Sequence, residues 1–166
     1  MASDTRGIAP CRSRLGYFYV AQPVGGRIRK CLVLASWIWC VSGQSAAPAS
    51  VWDGIYTDQQ AERGAAGYRE ACASCHGEKL KGHGQNPPLA GDSFTSNWNG
   101  SNVGDQLEKI QVSMPADRPG KLSKAQNAAI LAYILQFNKF PGGDKELPAD
   151  ADALKGVRFE ADKPVR

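Results

Sequence analysis

Cys72-Ala73-Ser74-Cys75-His76 constrains this chain more than any other stretch of it. Two thiols about one helical turn apart reach the two vinyl groups along one edge of a porphyrin, and the adjacent imidazole then rises under the iron. C-x-x-C-H therefore reads as an attachment site for c-type haem. One covalently held haem c is the expected cofactor, and His76 its expected proximal ligand. Two other uses of paired cysteines compete with this reading. A redox dithiol would need a βαβ setting, and a zinc site would need two further ligands where only His83 remains.

Three of the five cysteines, Cys11, Cys31 and Cys40, fall in a segment that reads as removable. Arg27, Arg29 and Lys30 are followed by Cys31 to Val41, eleven mostly apolar residues, and then by small and polar residues up to Ser50. That order is the pattern of a secretory signal. A membrane span needs roughly 20 apolar residues, so the run is too short for a permanent anchor. A lipoprotein would need a small residue before the acylated cysteine, whereas Trp39 precedes Cys40 and Lys30 precedes Cys31. Small-x-small cleavage sites end at Ala49 and at Ser45. The only methionines are Met1 and Met114, so a start that shortened the long basic leader would use a non-Met codon such as Val20 or Val24. The expected organisation is a removed signal over 1–49, a mono-haem domain over 50–145 and a surface-wrapping tail over 146–166. The mature chain keeps only Cys72 and Cys75, which leaves no disulfide framework. Its expected location is the periplasm, with no membrane span in the mature form.

The formal charge of +4 suggests a nucleic-acid partner until its location is traced. Six basic residues (Arg6, Arg12, Arg14, Arg27, Arg29, Lys30) stand against Asp4 alone in 1–49. The body from 50 to 166 carries 14 basic and 15 acidic residues, a balance of −1. A phosphate backbone needs a dense basic face, and the body has none, so nucleic-acid binding is excluded.

Thr57-Asp58-Gln59-Gln60 has the form of a capping box, and Ala61, Ala65, Tyr68 and Cys72 follow along one helical stripe. The spacing predicts a helix over 58–71. Gly64 on that stripe costs roughly 1 kcal/mol relative to Ala, a cost explained if another backbone approaches closely there. Ser123-Lys124-Ala125-Gln126 opens a second helix in which Ala129, Ile130, Tyr133, Ile134 and Phe137 are expected to face inward before Pro141-Gly142-Gly143 ends it. The two helices are expected to cross, Gly64 and Tyr68 against Ile130 and Tyr133. A third helix, 103–112, carries Val103, Leu107 and Ile110 on one face and leads to Met114.

Met114 is the one methionine of the mature chain, 38 residues after His76 and just before Pro115. Elimination makes it the expected sixth ligand. His83 is the rival, but it lies between Gly82 and Gly84 only seven residues beyond His76, in an expected exposed loop. Trp98 either donates its indole N–H to a haem propionate or fills the haem's edge. Leu147, Leu154, Val157 and Phe159 are the apolar anchors of a polar, irregular tail with at most a short helix, and Val51 to Tyr56 reads as an extended leader whose aromatics cover core.

The order of Gly64…Tyr68, CASCH, Pro87-Pro88-Leu89-Ala90-Gly91, Ser113-Met114-Pro115 and Ile130-Leu131-Ala132-Tyr133 resembles the class I cytochrome c family over about 51–138. The resemblance implies an all-α cytochrome c fold: three main helices around one covalently attached haem, with extended N- and C-terminal segments. It also implies that the P-x-L-x-G element, with Pro87 and Leu89, borders the haem and that the Pro87 carbonyl orients the His76 imidazole. The leader and tail are similar to those of single-haem bacterial cytochromes that serve quinoprotein alcohol or sugar dehydrogenases. Three functions follow as expectations. The first is a monomeric periplasmic single-electron carrier, not itself an enzyme, between a dehydrogenase donor and a terminal oxidase or another cytochrome. The second is a haem-based sensor or peroxidase with an open sixth position. The third is an electron-entry subunit bound permanently to a dehydrogenase.

Overall fold

The computed structural model describes residues 50–165. The signal segment expected over 1–49, with Cys11, Cys31 and Cys40, lies outside the described residues. Five α-helices follow one another: α1 Asp58–Ala71, α2 Ala73–His76, α3 Asp92–Trp98, α4 Val103–Ser113 and α5 Lys124–Phe137. Single 3-10 turns at Val51–Asp53 and Asp152–Leu154 flank them. Among the described residues there are isolated bridges but no strand, and the fold is all-α. The three long helices are those that periodicity predicts. The short α2 and α3 join them.

The helix starts follow from local chemistry. Thr57 accepts the Gln60 N–H at 3.1 Å, Asn102 accepts the Asp105 N–H at 2.8 Å, and Ser123 and Gln126 complete a reciprocal capping box on α5. The box expected at Thr57 is only half made. Gln60 is buried, and its side chain turns to the tail instead, donating to the Leu147 carbonyl at 2.9 Å and accepting the Leu147 N–H at 2.7 Å. A buried peptide unit without partners costs more than an exposed cap returns. Gln60→Leu should therefore lower stability by about 2 kcal/mol in chemical denaturation while leaving the visible spectrum of the holoprotein unchanged.

Helices α1 and α5 cross where Gly64 meets the Ala129 carbonyl. A Cβ at residue 64 would run into that oxygen and would stand 3.0 Å from the Tyr133 Cβ. The Tyr68 and Tyr133 rings lie 5.4 Å apart on the same seam. The expected inward face of α5 needs two corrections. Phe137 is 38% exposed, held only edge-on against Tyr133, while Ala128, Leu131 and Leu135 are buried as well. A helix covered on several sides has no single apolar stripe. The crossing with α1 occupies one side of α5, and Ile130, Leu131 and Ile134 wall a cavity on another.

The leader is not fully extended as expected. Ser50 caps a single 3-10 turn, which packs the Trp52 ring 4.8 Å from Phe140. All four predicted tail anchors are buried, and Phe159 sits edge-on to both Phe94 and Phe140. Leader and tail are joined by main-chain bonds, Val51 N–H to the Arg158 carbonyl at 2.8 Å, and the tail is tied to the start of α4 by Val103 N–H to the Val157 carbonyl at 2.9 Å. These ties hold leader and tail against each other and against the start of α4.

Candidate haem site

Cys72 ends α1 by donating its N–H to the Tyr68 carbonyl at 2.8 Å, and its own carbonyl accepts from Cys75 at 3.2 Å and His76 at 2.9 Å. The motif is thus a single helical turn continuing from α1. Cys72 is half-buried, Cys75 exposed and His76 buried. The Tyr68 hydroxyl donates to the Gly77 carbonyl at 2.8 Å, fixing the turn from beneath. Burial first, then the neighbouring Cys72 and Tyr133, raises the Tyr68 pKa, so the phenol stays a donor.

These side chains open on a cavity of about 670 Å³. That volume is within the roughly 300–1,000 Å³ of sites that enclose a whole cofactor. Cys72, Cys75 and His76 border it at one place, and Pro87 and Leu89 at another. Trp98, at the end of α3, and Met114, the C-cap of α4, also border it. Every residue proposed from sequence to hold the cofactor therefore lies on one cavity. His83 does not: it is exposed and pairs through its main chain with Asn86.

His76 Nδ1 lies 2.9 Å from the Pro87 carbonyl oxygen. With its proton on Nδ1 the ring donates to that oxygen, and Nε2 keeps its lone pair for a metal. The carbonyl is held by a network that sequence reasoning missed. Leu89 N–H donates to the Leu80 carbonyl at 2.8 Å. Asn138, the C-cap of α5, donates to the Leu89 carbonyl at 2.9 Å and accepts the Gly91 N–H at 2.9 Å. Its only sequence signal is an Asn at a helix end. Two other residues were passed over. Gln106 borders the cavity, buried, with both amide atoms lacking a partner among the described residues. Arg118 borders it too, its Nε 2.9 Å from Asp117.

Burial, with the adjacent Cys75 adding to it, pushes the Cys72 thiol up to about 11. Redox dithiols work from thiolates at depressed pKa, so the Cys72 thiol has the wrong electrostatics for that use. Among the described residues no three His, Cys, Asp or Glu side chains come together as a metal cluster. The donor set fits haem c: two thiols on one turn, an imidazole with a fixed tautomer, and a thioether on the same apolar cavity.

The sequence matches the family described as cytochrome c oxidase, cbb3-type, subunit III, over residues 59–134. Among solved structures, the sulfane dehydrogenase SoxCD from Paracoccus pantotrophus is 25% identical, with a TM-score of 0.39 over 64% of this chain and 62% of that one. This chain thus spans less than two thirds of that chain's length. No curated protein matches. The matched stretch carries Cys72, Cys75, His76, Pro87 and Met114 between the two crossing helices. Residues 59–134 form a mono-haem class I cytochrome c domain, an electron-transfer module that carries haem c.

Proposed function

We propose that this protein is a periplasmic single-electron carrier that accepts electrons from a dehydrogenase and passes them towards a terminal oxidase. The observation that carries the reading is the His76–Pro87 contact at 2.9 Å on the cavity that Cys72, Cys75 and Met114 also border. Bound haem c supplies one-electron chemistry at its iron. The chain's own residues do the rest. Cys72 and Cys75 would tether the macrocycle as thioethers, and His76 Nε2 and Met114 Sδ would ligate its iron. The Pro87 carbonyl fixes the imidazole's orientation and strengthens it as a donor. Leu89 supplies wall, and Trp98 supplies wall or an indole N–H for a propionate. A Met/His pair raises the potential relative to other axial sets, which suits acceptance from a dehydrogenase.

The exposure of Cys75 and Pro87 supports exchange at the tethered rim without entry of a partner's side chain. A body charge near zero suits brief contacts. Secretion rests on the basic-then-apolar pattern ahead of Ser50. No helix among the described residues is long and apolar enough to cross a membrane.

Protein made with haem-maturation machinery should gain the mass of one haem, and acid-acetone should fail to extract it, because two thioethers must break first. Ready extraction from the intact protein would overturn the attachment. Replacing both Cys72 and Cys75 by Ser should turn the same haem extractable.

A further inference from the structure

We infer that Gly82 is a positioning residue for the proximal imidazole: the lack of a side chain there sets the hydrogen bond between His76 and Pro87 and, through it, the midpoint potential of the iron. The inference rests on the reading of His76 as the proximal ligand. Gly82 does not border the cavity, yet its main chain touches both partners of that bond. Its N–H donates to the His76 carbonyl at 2.8 Å. On the other side it is packed against the peptide unit between Pro87 and Pro88. A Cβ at residue 82 would stand 2.8 Å from both the Pro87 carbonyl carbon and the Pro88 nitrogen, and would run into the Asn86 carbonyl oxygen. The first two atoms share one rigid plane with the Pro87 oxygen, which lies 2.9 Å from His76 Nδ1.

The surrounding main chain gives the collision little room to relax. His83 N–H donates to the Asn86 carbonyl at 3.1 Å, Asn86 N–H to the His83 carbonyl at 3.0 Å, and Leu89 N–H to the Leu80 carbonyl at 2.8 Å. Gly82 lies inside the loop that these bonds close. A side chain that parts residue 82 from the Pro87 peptide also parts His76, which is tied to residue 82, from the oxygen that its imidazole meets. An imidazole that donates through Nδ1 is the stronger base at Nε2 and favours the ferric iron. Weakening that bond favours the ferrous iron and raises the potential.

Gly84 is the control supplied by the same loop. Both glycines have positive φ, +72° at Gly82 and +58° at Gly84, where an L-residue is strained. A Cβ at residue 84, however, meets nothing within 4 Å. Backbone strain is common to the two positions, and contact with the Pro87 peptide belongs to one.

The test compares the holoproteins Gly82→Ala and Gly84→Ala with the native one. Both variants should lose stability in denaturant titration. Only Gly82→Ala should raise the midpoint potential. Only there should the His76 Nδ1 proton exchange with solvent faster, by on the order of tenfold for the loss of one hydrogen bond. Equal potentials in all three proteins, equal shifts in the two variants, or a fall in Gly82→Ala overturn the positioning role. Should Gly82→Ala yield no folded holoprotein, hydrogen exchange in the native one decides. The Gly82 amide and the His76 Nδ1 proton should then share one opening free energy. An Nδ1 proton released through smaller openings, with the Gly82 amide still protected, overturns the coupling. A native ferric protein whose hyperfine-shifted ring protons show no histidine on the iron overturns the ligand reading as well.

Discussion

Met114→Ala should erase the weak far-red sulfur-to-iron band of the ferric protein and let carbon monoxide bind the ferrous form quickly. The midpoint potential should fall by on the order of 100 mV, a modest part of the roughly 0.8 V that axial ligands command. The cause is local. Met114 closes α4 through its N–H to the Ile110 carbonyl at 3.0 Å, and its side chain borders the cavity shared by Cys72, Cys75 and His76. His83→Ala should change none of the three, because the His83 side chain is exposed and does not border the cavity. Optical titration with carbon monoxide and potentiometry decide the matter. A native protein that binds carbon monoxide readily and lacks the band would remove Met114 from the sixth position and favour a sensor or peroxidase.

Gly64→Ala should destabilise the holoprotein by about 2 kcal/mol, even though alanine is the better helix former. Propensity favours the change by about 1 kcal/mol. Overpacking costs about 1–3 kcal/mol where side chains can give way. Here the obstacle is the Ala129 main chain, which cannot rotate aside. Gly67→Ala is the internal control. Its Cβ would meet only the Ile130 side chain at 3.4 Å and 3.5 Å, an ordinary contact, so propensity wins and stability should hold or rise by about 0.5 kcal/mol. Denaturant midpoints that fell equally for both would show that the crossing does not depend on backbone contact at residue 64.

The parts legible in the sequence were those governed by short-range rules. Both ends of α1 followed from Thr57 and the one-turn geometry of CASCH, and the close approach at Gly64 followed from the cost of glycine within a helix. Site residues on a motif came with it. Of the cavity walls supplied by α3 only Trp98 was foreseen, and Ser93, Phe94 and Asn97 were not, because Asp92–Trp98 is seven residues without an N-cap side-chain bond and has too few turns to show a period. Phe137 was misplaced for the opposite reason: a strongly apolar helix offers several faces, and only the crossing with α1 and the cavity select among them. Gln60 and Asn138 were invisible because their partners, Leu147, Leu89 and Gly91, stand far from them in the chain. A polar side chain that satisfies a distant peptide group leaves no pattern in its own neighbourhood.

The Asn138 amide has a consequence for hydrogen exchange. It joins the Leu89 carbonyl and the Gly91 N–H to the end of α5, and it also donates to the Ile134 carbonyl at 2.8 Å. Fraying of the last turn of α5 must therefore release the loop that braces His76, so helix end and loop open as one cooperative unit. The Gly91 and Asn138 amides should exchange with a common opening free energy, well below that of the α1–α5 seam. Thermal loosening of the proximal side would then begin some 60 residues downstream of the Cys72–His76 motif, at a turn that never touches the haem-binding cysteines.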